Sequence, residues 1–173
     1  MNKQILRNKY KDIRKNIKDK EKQNDVIFNK IINLEEYKQS HLILTYVSLK
    51  DEVDTMKLIR YSFKQGKKVA VPKCEGEDIT FYYINSLEEL EKRKFGILEP
   101  KTNEIVNDFA NSICIIPGVV FDKQNNRMGY GKGFYDRFLE NYKGIKTGLT
   151  YKECICDKID TDINDIKMDK VIF

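Results

Sequence analysis

The stretch SICIIPG, residues 112–118, is the most apolar run in the chain. HLILTYV, 41–47, and KVAVP, 68–72, are shorter runs rich in β-branched residues. Brief, continuous apolar runs of this kind read as strands buried on both faces. Further strands are expected at ITFYY, 79–83, at KTGLTY, 146–151, and at KVIF, 170–173. Helical spacings lie between them. Leu6, Tyr10, Ile13 and Ile17 form one face of an amphipathic helix with most of its cations on the other. A second helix is expected over 25–37, with Ile27, Ile31 and Leu34 inward. Asp54 or Thr55 can cap a third, which carries Met56, Ile59 and Phe63 and ends at Gly66. Ser86 with Glu89 has the spacing of a capping box for a short helix. Residues 99–112 read as loop with room for a short helix. FYDRFLENY, 134–142, is a last helix with Phe134, Phe138 and Leu139 on one side. Strands alternating with helices give an α/β fold: a single three-layer domain over 1–173, with a mainly parallel sheet and helices on both faces.

The 40% hydrophobic and 34% charged composition is that of a soluble globular protein. No apolar run approaches the roughly 18 residues that span a bilayer, and MNKQILRNKYKDIRK has no apolar core of a secretory signal. A cytoplasmic protein without a membrane partner is expected. His41 is the only histidine, and the four cysteines lack the paired spacing of a zinc site, so free thiols are expected. Residues 1–22 carry nine Lys or Arg and three acids, a local excess within a total charge of +5. Such a segment suits nucleic acid, a membrane surface, an anionic small ligand or simply a solvated helix face.

RMGYGKGFYD, 127–136, places Gly129, Gly131 and Gly133 within five positions and threads Arg127 and Lys132 among them. It lies after the strand at 112–118 and leads into the helix at 134–142. A glycine-rich turn beyond the carboxyl end of a strand lets backbone N–H groups approach an anion. The composition is that of a phosphate cradle, although a tight turn serving backbone geometry alone would look the same. It is not a Walker loop, because Gly133 follows Lys132 where a hydroxyl would meet magnesium. A metal would therefore need carboxylates, and Asp136, Asp165 and Asp169 are at hand.

PGVVFDKQNNRMGYGKGFYDRFL, 117–139, resembles the signature of the 5-formyltetrahydrofolate cyclo-ligase family, also called 5,10-methenyltetrahydrofolate synthetases. Other pieces match in order: Lys3 to Arg7 as K-x-x-L-R, SLKDEVDT at 48–55, FGILEP at 95–100 and DINDIKMDKVIF at 162–173. The resemblance covers nearly the whole chain. It implies ATP-dependent closure of 5-formyltetrahydrofolate to the 5,10-methenyl compound, with magnesium required. By position it implies Lys3, Arg7, Arg127, Gly129, Tyr130, Gly131, Lys132, Gly133, Phe134 and Tyr135 on ATP. Val47, Glu52 and the part from Tyr130 to Phe134 would border folate. Asp136 and Asp165 would hold magnesium, and Arg127, Lys132 and Tyr135 would serve catalysis. The partners implied are the folate and ATP, with no nucleic acid, and the protein is expected to be a monomer. The chain departs from the family at Asn164, where histidine is usual, and at Cys154, where glutamine is common. Two other readings stand beside this one. An isomerase of sugar phosphates could use the same loop without ATP, but would have no need of Glu52 or of paired aspartates. A nucleic-acid-binding protein could use the basic first helix, but leaves the loop unexplained.

Overall fold

The computed structural model describes residues 2–93 and 96–173. Its centre is a six-stranded sheet, assembled from β1 (Leu42–Thr45), β2 (Lys68–Glu75), β3 (Asp78–Ile84), β6 (Ser112–Pro117), β9 (Ile145–Leu149) and β11 (Lys170–Ile172). The spatial order is β11-β9-β6-β1-β2-β3. Every neighbouring pair is parallel except β2 with β3, an antiparallel hairpin at the edge. The fold is thus α/β with a mainly parallel sheet, as the short apolar runs imply.

β6 shows why those runs are apolar throughout. Ile113 and Ile115 pack under Ile27, Phe28, Ile31, Tyr37 and Leu58, from helices α2 (Lys20–Ile32), α3 (Glu35–Gln39) and α4 (Met56–Lys64). Cys114 and Ile116 point the other way, toward Leu139 of α5 (Phe134–Asn141) and Tyr142. Both faces of the strand are covered, so neither can carry a polar side chain cheaply. The amphipathic helix α1 (Lys3–Lys15) packs elsewhere. Its Leu6 and Tyr10 cover Val119, Val120, Met128 and Cys154. Val120 and Met128 belong to a small sheet made of β7 (Val120–Asp122), β8 (Arg127–Met128) and β10 (Ile155–Cys156).

Several boundaries differ from the sequence reading. The expected helix over 25–37 is two helices. Leu34 adopts an extended conformation between them, and the Asn33 side chain donates back to the Asn29 carbonyl at the end of α2. In α4, Thr55 is the N-cap by backbone position, while the Asp54 carboxylate accepts the Met56 N–H at 3.0 Å. Its end follows expectation, since Gly66 at φ +70° lets Gly66 N–H reach Phe63 O and Lys67 N–H reach Ser62 O. The capping box does not close: Glu89 accepts from Asn85 N–H, Ser86 makes no side-chain cap, and Leu87–Glu89 is one 3-10 turn. Within 99–112 the described backbone forms no helix. It contributes part of β5 (Leu98–Pro100), which pairs with β4 (Leu90–Lys92), and a bridge from Ile105 to Tyr82. Phe95 of the FGILEP motif lies outside the described residues.

Candidate active site

β1 connects through α4 to β2 on one side of it, whereas β6 connects to β9 on the other. The strand order therefore reverses between β1 and β6. In open α/β sheets the crevice beyond the carboxyl ends at such a point is where ligands bind. The segment 46–55 leaves β1 there, and residues 118–133 leave β6 there.

The glycine loop is held by β7 and β8, whose turn is built around Asp122. One Asp122 oxygen accepts the N–H groups of Gln124 and Asn126, and the other accepts Ile159 N–H and the Asn126 amide, all at 2.9 Å. Burial pushes the Asp122 carboxyl up, but these donors outweigh it and hold it below the usual carboxylate range. Asn125 completes the turn at φ +67°. Arg127 follows directly, with a side chain 5% exposed. Its guanidinium donates to Pro117 O at 3.2 Å and to Asp136 Oδ2 at 2.8 Å.

Two glycines have structural reasons that are on view. A Cβ on Gly129 would lie 2.6 Å from Arg127 Nη1, so the glycine leaves room for that guanidinium to fold back over the loop. Gly131 sits at φ +95°, and a Cβ there would press on the Arg7 guanidinium at 3.3 Å. Arg7 donates to Gly129 O at 3.0 Å. The glycines therefore admit cations to the loop from two directions, from α1 and from β8. Lys132 is exposed, and its ammonium has no partner among the described residues.

Lys3 reaches the same region from the start of α1. It bonds Asp162 and lies 2.8 Å from Asp165 Oδ2. Burial lowers the Lys3 ammonium, but its two aspartate partners raise it further. Asp165 is pushed up by burial and brought below the usual range by Lys3, by Asp162 N–H and by the field of Arg127. Asp136 Oδ1 accepts Ile166 N–H at 3.3 Å, which ties the two aspartate segments together. Among the described residues no three His, Cys, Asp or Glu side chains group around one point. Asp136 and Asp165 nevertheless fit magnesium in kind. They are hard oxygen donors on adjoining segments, and such an ion commonly takes one or two carboxylates with phosphate and water oxygens. In this structure each carboxylate faces a cation of the chain, Arg127 or Lys3.

Glu52 is buried, not a surface acid at a strand end. Its Oε2 accepts Leu49 N–H at 2.9 Å, and its Oε1 accepts the Tyr130 hydroxyl at 2.7 Å. Tyr130 is 41% exposed overall, yet its hydroxyl is tucked inward, where burial and Glu52 raise it. Tyr46 and Tyr151 close the surroundings, bonding Val53 O at 2.9 Å and lying 3.0 Å from Glu52 O. Tyr135 has a buried hydroxyl without a hydrogen-bond partner among the described residues, raised mainly by burial. Arg127 lies over the Tyr135 ring at 5.7 Å. Val47 is buried beside Ile59, Val69, Val71 and Ile84. Phe134 begins α5 and packs into the core on the far side of the sheet.

A family model for the 5-formyltetrahydrofolate cyclo-ligase family matches residues 1–173. The chain belongs to that family. A probable 5-formyltetrahydrofolate cyclo-ligase of Schizosaccharomyces pombe is 33% identical, with 84% of this chain and 81% of the relative aligned. The cyclo-ligase of Mus musculus is 30% identical over 88% of this chain and 82% of its own length. Among solved structures, the 5,10-methenyltetrahydrofolate synthetase of Aquifex aeolicus superposes with a TM-score of 0.88 at 34% identity, covering 99% of this chain and 89% of that one. A synthetase from Mycoplasma pneumoniae, 24% identical, shares the fold with a TM-score of 0.81. Family membership makes this chain a relative of ligases that act on folates.

The structure brings together most of the residues that the resemblance singles out. Lys3, Arg7, Arg127, Asp136 and Asp165 converge around the loop, and Tyr130 links the loop to Glu52. Val47 faces the α4 core cluster instead. Sequence reasoning missed Arg14 and Asp122. Arg14 follows Leu6 and Tyr10 at steps of four, which is a signal for the buried face of α1. Asp122 heads DKQNN, a run of turn formers. All four cysteines are free; Cys114 and Cys154 are buried, and burial pushes the Cys154 thiol up to about 11. Among the described residues no helix is long and apolar enough to cross a membrane.

Proposed function

We propose that this chain converts 5-formyltetrahydrofolate to 5,10-methenyltetrahydrofolate with ATP as co-substrate and magnesium as cofactor. The observation that carries the reading is one bond: the Tyr130 hydroxyl of the glycine loop on the Glu52 carboxylate, which joins an anion cradle to a buried acceptor for an amino-pyrimidinone edge. The reaction needs those two halves side by side. The formyl oxygen attacks the γ-phosphorus, and ADP leaves. The neighbouring anilino nitrogen then attacks the activated formyl carbon and loses its proton. Phosphate departs with the original formyl oxygen, leaving the methenyl bridge.

In this reading the chain's own contribution is position and charge. Lys3 and Arg7 hold the nucleotide beside loop glycines 129, 131 and 133. Lys132, free of any partner among the described residues, is placed to meet the transferring phosphoryl group. Arg127, fixed by Pro117 O and Asp136, supplies a second cation, and Tyr135 a nearby hydroxyl. Asp136 and Asp165 would hold magnesium, which offsets phosphate charge when bound. Glu52 and the loop from Tyr130 to Gly133 orient the folate, while Val47 and Phe134 back the site from the core. Residues 1–173 act as one cyclo-ligase domain, as a monomer in the cytoplasm, without nucleic-acid or membrane partners.

The test is to mix purified protein with 5-formyltetrahydrofolate and Mg-ATP and follow the near-ultraviolet absorbance of the conjugated methenyl product. Product formed only when all three are present supports the proposal. Product without ATP, or none under any condition, refutes it.

A further inference from the structure

Arg14 carries a full charge into the interior, and the reaction as proposed does not use it. The residue is 7% exposed. Its Nη1 donates to Gly118 O at 3.2 Å, and its Nη2 donates to the Tyr130 hydroxyl at 2.7 Å. Its Nε is buried without a hydrogen-bond partner among the described residues. No carboxylate among the described residues bonds the guanidinium directly. Burial works against its charge, and the Tyr130 hydroxyl and the field of Glu52 hold it cationic.

The three groups form a directed chain. Arg14 donates to the Tyr130 oxygen, and that hydroxyl donates in turn to Glu52 Oε1 at 2.7 Å. A phenol has one proton, so the Arg14 bond settles which way it points. With the guanidinium occupying an oxygen lone pair, the proton is committed to Glu52. Gly118 lies against the Phe121 ring, where an added Cβ would fall 2.4 Å away. Arg14 also lies over the Tyr130 ring at 5.6 Å, with Lys11 at 5.3 Å from the ring centre. Helix α1 thus clasps the one tyrosine that joins the loop to the acceptor.

We infer that Arg14 is a positioning residue that acts through the Tyr130 hydroxyl to aim Glu52 at the folate. The inference rests on the proposed function, because Glu52 is a folate contact only under that reading. The Arg14 hydrogen bonds go to Gly118 O and the Tyr130 hydroxyl, so its influence on the folate runs through that hydroxyl.

The test is a double-mutant cycle read by calorimetric titration of 5-formyltetrahydrofolate and, separately, of Mg-ATP. Arg14→Lys keeps the charge but not the planar fork that spans Gly118 O and Tyr130. It is expected to weaken folate binding about tenfold or more, the scale of one lost bond to a charged group, and to leave Mg-ATP affinity unchanged. Tyr130→Phe alone is expected to weaken folate binding to the same extent. In the Tyr130→Phe background, Arg14→Lys should change folate affinity no further. Additive folate losses, or an equal loss for both ligands in Arg14→Lys, would overturn the inference. Should Arg14→Lys fail to fold, Tyr130→Phe still decides, and full folate affinity in that variant overturns it. Absence of folate binding by the parental chain would sink the proposed function itself, and this inference with it.

Discussion

Asp136→Asn separates the two tasks that Asp136 performs. As the first-turn acid of α5 it complements the helix dipole, for about 0.3–1 kcal/mol. It also balances Arg127, whose side chain is only 5% exposed, while its own is 22% exposed. Removing one partner of a fully buried pair costs roughly 3–5 kcal/mol. Three features reduce that here: Asp136 reaches solvent, asparagine keeps an acceptor, and Asp165 still exerts its field on Arg127. A loss of about 1–3 kcal/mol remains. For a chain of this size that lowers the melting temperature by roughly 3–10 °C. Sequence reasoning alone would expect a near-parental melt, because the ion pair with Arg127 is invisible there. Turnover should fall further than stability does, with a raised magnesium requirement. The assay is a thermal melt beside turnover across a magnesium titration, both well below the melting temperature. A melt unchanged from the parent refutes the account of Arg127. Full activity at unchanged magnesium dependence removes Asp136 from the metal site.

Lys132→Ala should leave the melt unchanged, since the ammonium has no partner among the described residues, and should lower turnover by about 10²–10³-fold; near-parental turnover contradicts its role. Glu52→Gln should weaken folate binding by roughly 1.5–3 kcal/mol and Mg-ATP binding little, because the lost charge is the one facing Tyr130; equal loss for both in calorimetry places Glu52 outside the folate site. Asp122→Asn should cost about 1–3 kcal/mol at neutral pH, by unpairing some of four donors. The Asp122 carboxyl is depressed below its ordinary 3.8 in the folded chain, so its contribution is whole above that value and is lost as pH falls through the lower folded one. The variant's acid-unfolding limb should therefore be shallower than the parent's; a parallel shift at all pH values would argue that the hydrogen bonds, not the charge, carry the effect.

The central sheet was legible because its strands are covered on both sides. Ile43, Ile113 and Ile115 meet one helical layer, Leu44, Cys114 and Ile116 the other, and the sequence must then be apolar at every step. β7, β8 and β10 were not legible. Strands of two or three residues carry no period, and what fixes them is Asp122, a single polar side chain with partners as far away as Ile159. The β2–β3 hairpin broke the strand–helix alternation because its turn at Gly76, φ +64°, leaves no room for a helix. In the site, the glycine loop announced itself through composition. That Glu52 is buried did not, because its partner Tyr130 is 78 residues distant in sequence. Arg14 was hidden for the complementary reason: an arginine in a helix rich in lysine reads as surface unless its step of four from Tyr10 is given weight.

The measurement closest to the centre of the account is the fate of the formyl oxygen. With 5-formyltetrahydrofolate labelled with oxygen-18 in the formyl group, the chain and Mg-ATP should release phosphate that carries one labelled oxygen for each methenyl product formed. Unlabelled phosphate, or methenyl product formed without phosphate, would contradict attack of the formyl oxygen on ATP at this loop.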